Sequence, residues 1–474
     1  MSELLTELRR RDIALWRDGD NLRFSAPEGA LTPELRAELG ARKSELLAEL
    51  TQEPAPGKTI PRADRSGSVP LSFSQERLWL LDQIEPGLAT YNVEHCWRIR
   101  GPLDVAALEL SLNEIARRHE VLRSSVRASP NGPPQQVVQT LAPRPLPIIG
   151  AAAAHLEHLA QEESERPFDL ARGPLWRAVL ARFTGEDHAL FMTWHHLVFD
   201  AWSVSVFTRE LAALYSAFQQ GQPSPLPETP LQFGDFALWQ RSAFARGEME
   251  PHLAYWRARL AGDRPPLPLP GDRPRLAQQS FRGATRTRDF APELTANLRR
   301  LAAEERVTPF MLLLAGFKAL LARYTGEVDL CVGSPIAQRS HVETEGLIGF
   351  FLNMLALRTD LAGDPTFREI LQRVRATTIE AFEHQEVPFE KVVEEVHPAR
   401  HLSHHPLFQV AFVLQPGGGD PPALPGVTIE AVAVPVTTSS SPSSSRSSGR
   451  RCSPSRSSAV MPGSRRMTER FAFS

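Results

Sequence analysis

Two adjacent histidines, followed by an aspartate four residues after the second, stand out in Trp194-His195-His196-Leu-Val-Phe-Asp200-Ala201-Trp202-Ser203. An imidazole with an unperturbed pKa near 6.5 can accept or hold a proton at neutral pH. A carboxylate at a turn into a helix can pin that turn by bonding backbone N–H groups or a cation. The spacing is also open to three other readings. The pair can be buried histidines satisfied by hydrogen bonds and nothing more. It can be a metal site, although adjacent strand residues point to opposite faces and neither HExxH nor CxxC accompanies it. It can be the centre of a CoA-dependent acyltransferase, for which His-x-x-x-Asp is the bare minimum.

The elements around these residues are set up to position them. Residues 188–194 form a short, nearly all-apolar run, the pattern of a buried strand, so the histidines close a strand at the edge of a core. Val204, Phe207, Leu211, Leu214 and Phe218 recur at helical spacing directly after Asp200. Upstream, a helix begins near Ser74 with Leu78, Trp79 and Leu81 inward, and 105–119 reads as an amphipathic helix. Five prolines between 265 and 274 predict an extended crossing into a second lobe. There Thr308-Pro309 opens a helix through about 324, 328–333 and 407–414 read as strands, and 367–382 as a helix. The first fifty residues form a separate αββα unit. Leu4, Leu5 and Leu8 mark a helix, two alternating runs flank Asp18-Gly19-Asp20, and Thr32-Pro33-Glu34 opens a second helix to about 50. Residues 52–68 read as a linker.

Composition narrows the class. Hydrophobic residues make up 42%, and 53 Lys+Arg against 55 Asp+Glu leave a formal charge of -2. No global field therefore favours nucleic acid or an anionic membrane. The run 310–316 is far short of the roughly 20 apolar residues of a membrane span. Charges at Glu3, Glu7 and 9–11 interrupt any signal-peptide core. Three distant cysteines (Cys96, Cys331, Cys452) provide no disulfide framework. The expected location is cytoplasmic. Between Ser439 and Ser458, 12 of 20 residues are serine and four are arginine. That stretch reads as a disordered tail or, more sharply, as the product of a reading-frame shift near Val436.

The histidine motif resembles the HHxxxDG core of nonribosomal peptide synthetase condensation domains, and further motifs follow in that family's order. Leu71-Ser-Phe-Ser-Gln75-Glu-Arg77-Leu-Trp79 and Arg118-His119-Glu120-Val-Leu-Arg123 precede it. Phe233-Gly-Asp235-Phe-Ala-Leu-Trp239-Gln240, Val332-Gly-Ser-Pro335-Ile-Ala-Gln-Arg339 and Ile348-Gly349-Phe-Phe-Leu-Asn353 follow. His384-Gln-Glu-Val-Pro388-Phe389-Glu390 and Pro406-Leu-Phe408-Gln409-Val close the series. The resemblance implies an α/β (α+β) fold of two chloramphenicol-acetyltransferase-like lobes, 69–260 and 261–436, in a V-shaped pseudo-dimer with a channel between them. It makes His196 the catalytic residue, as base or as positioner of the amine, with His195 packed behind it. Asp200 becomes a structural carboxylate paired with arginine. Arg339 is the candidate partner; Arg77, Arg123 and Arg282 are alternatives. Trp202, Ser334, Asn353 and His405 are expected along the channel. No bound cofactor is implied, since phosphopantetheine arms come from donor and acceptor carrier proteins. An intact HHxxxD argues against heterocyclisation, Trp202-Ser203-Val204-Ser205-Val206 argues against epimerisation, and the overall pattern favours amide formation from an L-configured donor.

Two departures from the family pattern carry expectations. Ala201 stands where the family has Gly, so the backbone there is either ordinary or slightly strained. Beyond Val436 the family continues with a further strand and helix, whereas this chain has the Ser/Arg stretch (437–474). The expectation is an uncovered sheet edge and poor folding. The opening unit, 1–51, is similar to TubC-type N-terminal docking domains. That likeness implies an upstream synthetase as partner, homodimerisation, and a hairpin edge that takes a peptide strand while arginines meet its acidic side chains. No adenylation or carrier motif is visible. A non-catalytic interaction remnant is the other reading, from a different class.

Overall fold

The computed structural model describes residues 14–18, 21–25, 33–43, 60–64, 69–129, 132–262, 265–271, 288–396, 407–415, 421–432 and 469–473. Two compact units divide at Ile60/Pro61. In the first, strands β1 (Ala14–Asp18) and β2 (Asn21–Ser25) form an antiparallel hairpin with Asp18 opposite Asn21. Gly19 and Asp20, where the sequence places the turn, lie outside the described residues. Helix α1 (Pro33–Ala41) starts on its proline and buries Leu35 and Leu39. The helix expected around Leu4–Leu8 lies outside the described residues.

The second unit carries the lobes. Its first lobe is built on a five-stranded sheet in the order β13-β4-β9-β8-β7. These are β4 (Asn92–Arg100), β7 (Ile148–Gly150), β8 (Trp176–Arg182), β9 (Asp187–His195) and β13 (Thr428–Val432). β9 lies between β4 and β8, antiparallel to both. That central place explains its apolar run, because both faces are covered. Cys96, Val179, Ala189 and Phe191 pack with Leu156 and Ala160 of helix α4 (Leu156–Glu165). Helices α3 (Val105–Arg118) and α5 (Ala201–Gln219) pack against each other, with Leu108, Leu112, Leu211 and Leu214 buried. A smaller sheet, β3-β6-β5, joins Val69–Pro70, Gly132–Val138 and Ser124–Ser129. Helix α2 (Phe73–Ile84) follows β3. A reciprocal cap between Ser72 and Gln75 starts it, and Leu78 points into the core.

The first lobe continues through α6 (Phe233–Ala245) and α7 (Glu250–Arg259). Residues 265–271 then run without regular structure, as their prolines require. Helix α8 (Pro292–Glu304) opens the second lobe, and helix α9 (Pro309–Thr325) begins at its Thr308 cap and stops at Gly326, φ 76°. β10 (Asp329–Ile336) and β11 (Asn353–Asp360) pair antiparallel, backed by α10 (Phe367–Glu383) and α11 (Phe389–Val396). β12 (Val410–Leu414) runs parallel to β10.

Two findings correct the expected layout. First, β13 leaves the second lobe and adds to the edge of the first-lobe sheet, Ile429 opposite Ile99 and Ala431 opposite Trp97. The boundary that assigned all of 261–436 to the second lobe is therefore crossed by an exchanged strand. Second, the far edge of β12 is not bare. β14 (Glu469–Phe473), in the stretch read as a disordered tail, pairs antiparallel with it. The Ser/Arg stretch itself, 437–468, lies outside the described residues. Among the described residues no single helix is long and apolar enough to cross a membrane.

Candidate active site

The site forms where β9 ends. Trp194 stacks on Phe199, ring centroids 4.2 Å apart, and meets Phe207 edge-on at 5.0 Å. This apolar clamp folds the 3-10 turn His196–Val198 back over the strand. Gln75 holds the turn from α2 by donating its Nε2 to the Leu197 carbonyl, 2.9 Å. Asp200 then caps α5, its Oδ1 accepting the Ser203 N–H at 2.8 Å and the Ser203 hydroxyl at 2.7 Å.

The two histidines do different work. His196 Nδ1 lies 2.8 Å from the Phe199 carbonyl oxygen. A carbonyl only accepts, so Nδ1 carries the proton and the neutral ring has its lone pair on Nε2. Burial pushes the pKa of His196 down, while the Phe199 carbonyl and Asp200 oppose that shift. His195 accepts the Leu197 N–H on Nδ1 at 3.1 Å and lies between the rings of Tyr91 and Phe168, each 6.2 Å away. Burial, then the neighbouring His196, lowers its pKa to about 3. The ring is neutral and buried.

Asp200 meets Arg339 across the lobes. Arg339 Nη2 stands 3.3 and 3.4 Å from the two carboxylate oxygens, and both side chains are almost fully buried. The other guanidinium nitrogen donates to the carbonyls of Leu347, at 2.6 Å, and Thr344. The cation also lies 3.9 Å from the centroid of Phe351. Burial depresses the pKa of Arg339 and Asp200 supports it. The alternatives are engaged elsewhere: Arg77 faces Glu390 at 3.6 Å, and Arg123 donates to the Gln139 carbonyl at 2.8 Å. Arg282 lies outside the described residues.

A strip of the second lobe, 348–351, lies against this turn. The Gly349 N–H donates to Ser203 Oγ, 3.1 Å, and the Phe351 N–H to Asp200 Oδ2, 3.1 Å. The Phe350 ring stands 5.3 Å from His196. Gly349 is required here because a Cβ would overlap the Phe233 ring and sit 2.8 Å from Phe351. Trp202 reaches the same segment, donating its indole N–H to the Glu345 carbonyl at 2.9 Å while 41% of it stays exposed. Ala201 is the first residue of α5 and is not among the described residues with positive φ, so its backbone is ordinary.

Of the expected channel residues, Ser334 is buried in β10. Asn353 is buried at the start of β11 and hydrogen-bonded to the loop that follows α10. Its amide donates to the carbonyls of Gln385 (2.9 Å) and Val387 (2.8 Å), and its oxygen accepts the Phe389 N–H (2.9 Å). With its polar atoms turned to that loop, it holds the His384–Phe389 motif in place. His405 lies outside the described residues. Sequence reasoning gave no role to Ser203 or Phe350. Asp200-x-x-Ser203 is legible as a helix cap, but the Phe350 contact depends on how the lobes meet. Among the described residues no group of three His, Cys, Asp or Glu is arranged to hold a metal.

Comparison with known proteins identifies the family of the chain. A profile described as Condensation domain matches residues 65–428, and one described as TubC N-terminal docking domain matches 1–52. The chain is 45% identical over 381 residues to chondramide synthase cmdD of Chondromyces crocatus, covering 79% of this chain and 10% of that protein. It is 44% identical to phosphinothricin tripeptide synthetase PhsC of Streptomyces viridochromogenes, covering 82% of this chain and 36% of the relative. The chain thus spans about a tenth to a third of these synthetases. The X-domain from teicoplanin biosynthesis superposes with a TM-score of 0.75 at 32% identity, over 80% of this chain and 85% of that one. The condensation domain of the monacolin K polyketide synthase MokA gives 0.69 at 25%, over 77% and 86%.

Proposed function

The chain belongs to the condensation-domain family of nonribosomal peptide synthetases, preceded by a TubC-type docking domain, and on that premise we propose that it joins two carrier-borne acyl groups through a peptide bond. In this reading the acceptor amine attacks the carbonyl carbon of the donor thioester. The C–N bond forms, the C–S bond breaks, and the donor thiol leaves with the proton the nitrogen gives up. The phosphopantetheine arms are parts of the two substrates and belong to the carrier proteins. The overall motif pattern favours a donor of L configuration.

The observation that carries the reading is the ring of His196, whose Nδ1 proton is committed to the Phe199 carbonyl. Nε2 is thereby the basic atom, suited to accept a hydrogen bond from the attacking amine and to hold or take its proton as the tetrahedral intermediate forms. Asp200 and Arg339 act indirectly, by fixing the turn that aims the ring. Trp202, half-exposed at the first turn of α5, is the residue we place nearest an arriving arm.

Upstream, the β1–β2 hairpin is proposed to take the C-terminal strand of the preceding synthetase, and the unit to pair with a second copy. A second reading has a specific motive: the teicoplanin X-domain, of the same fold, was solved in complex with OxyB. The fold can therefore serve as a docking platform. Incubation of the chain with donor-loaded and acceptor-loaded carriers, followed by intact-mass measurement of the acceptor carrier, separates the readings. A dipeptidyl thioester is expected. Carrier binding without product supports the platform, and turnover of free acyl-CoA without any carrier supports a CoA-dependent acyltransferase.

A further inference from the structure

His119 sits between a carboxylate of its own lobe and the backbone of the other, and it is only 1% exposed. Its Nε2 lies 3.1 Å from Glu210 Oε2. Arg118 pairs with both oxygens of that carboxylate, so it is ionised and only accepts. Nε2 therefore carries the proton and Nδ1 the lone pair. Nδ1 in turn accepts the N–H of Ile348 at 3.3 Å. Both contacts select the same neutral tautomer, and a doubly protonated ring would have no acceptor for Ile348.

Ile348 is the first residue of the strip that reaches His196. Its neighbours are tied to Ser203 and Asp200 through the amides of Gly349 and Phe351. Phe350, between them, faces the His196 ring at 5.3 Å. Of the side chains that accept the strip's amide hydrogens among the described residues, Asp200 and Ser203 belong to the turn that carries His196. His119 approaches from a different direction, from the end of α3. Without it the Ile348 amide loses its side-chain acceptor, while residues 349–351 keep their bonds to Ser203 and Asp200.

We propose that His119 is a positioning residue for the condensation step: by holding the Ile348 amide it fixes Phe350 against His196. The proposal rests on the condensation reading above. Its rival is a histidine that matters only through Glu210, as part of the buried packing between α3 and α5. Glu210 does not need it for charge balance, since Arg118 Nε and Nη2 lie 3.1 and 3.2 Å from the two carboxylate oxygens.

Two substitutions separate the roles. His119→Asn can place an oxygen near Nδ1 and keep the Ile348 bond while giving up Glu210. His119→Gln can place its amide near Nε2, keeping Glu210 and giving up Ile348. Full-length variants are assayed with loaded carriers and by hydrogen exchange of the 348–351 amides. His119→Gln is expected to exchange faster in that strip and to lose roughly 10- to 100-fold in kcat with KM unchanged, the range that a small misplacement of a reacting group produces. His119→Asn is expected to stay near wild type in both. The reverse order, or equal loss in a folded His119→Asn, overturns the proposal, and His119→Asn alone decides it if His119→Gln fails to fold. If the wild-type chain makes no product, the condensation reading fails, while the exchange data still decide whether His119 holds the strip.

Discussion

His196 is buried, and burial determines which way its titration moves. The charged form is disfavoured, so the neutral ring persists below the usual imidazole pKa. The acid limb of kcat is therefore expected below about pH 6.5, the unperturbed value. A limb at or above that pH in a pH–rate series would contradict the assignment. Lys318 behaves comparably in the second-lobe core. Fully buried, it donates to the Leu357 carbonyl at 2.6 Å and Thr359 Oγ1 at 2.7 Å, and burial lowers its pKa to about 7. Between about 7 and the ordinary lysine value of 10.5 the unfolded chain binds a proton that the folded chain does not, so stability rises with pH through that window. Urea midpoints should increase from pH 7 to pH 10, and Lys318→Met should flatten the rise. An unchanged slope in the variant would remove Lys318 as its source. At this scale His196, Asp200 and Arg339 were legible because a motif names them. Lys318 was not, because one lysine on an apolar helix carries no sign of which carbonyls it meets.

Elements were readable in proportion to how local their pattern is. β9, α5, α9 and α10 follow from apolar period and, for α9, from the capping Thr308. β4 was missed, since Asn-Val-Glu-His-Cys-Trp-Arg-Ile-Arg mixes charges into a strand with one half-exposed face. The connection 348–351 was recognised as a motif, yet its function as a lobe clamp depends on acceptors nearly 150 and 230 residues away in sequence. Gly349 is the tightest point of that clamp. Gly349→Ala would push a methyl into the Phe233 ring and should cost about 1–3 kcal/mol, the usual price of overpacking. Equilibrium unfolding measures it, and a neutral result would show that the strip can move away.

Across the whole second unit, the lobes are held together by chain exchange as well as contact. β13 crosses to pair with β4, the α2 and α11 helices meet through Arg77 and Glu390, and 348–351 closes over the histidine turn. None of this is visible in local pattern, because the strand partners lie more than 300 residues apart. The same holds for β14, which occupies the β12 edge from a stretch with no strand-like surroundings. An open edge invites pairing with another chain. Deleting 469–474 is thus expected to increase self-association in light scattering after size exclusion, and an unchanged mass would mean that the edge is protected in another way.

The central claim is that the His196 imidazole meets the attacking amine. Single-turnover appearance of the dipeptidyl mass on the acceptor carrier, wild type against His196→Ala at matched thermal stability, tests it most directly. A loss of roughly 100-fold or more is expected for a group acting on the proton in the transition state. Equal rates in the two proteins would contradict it.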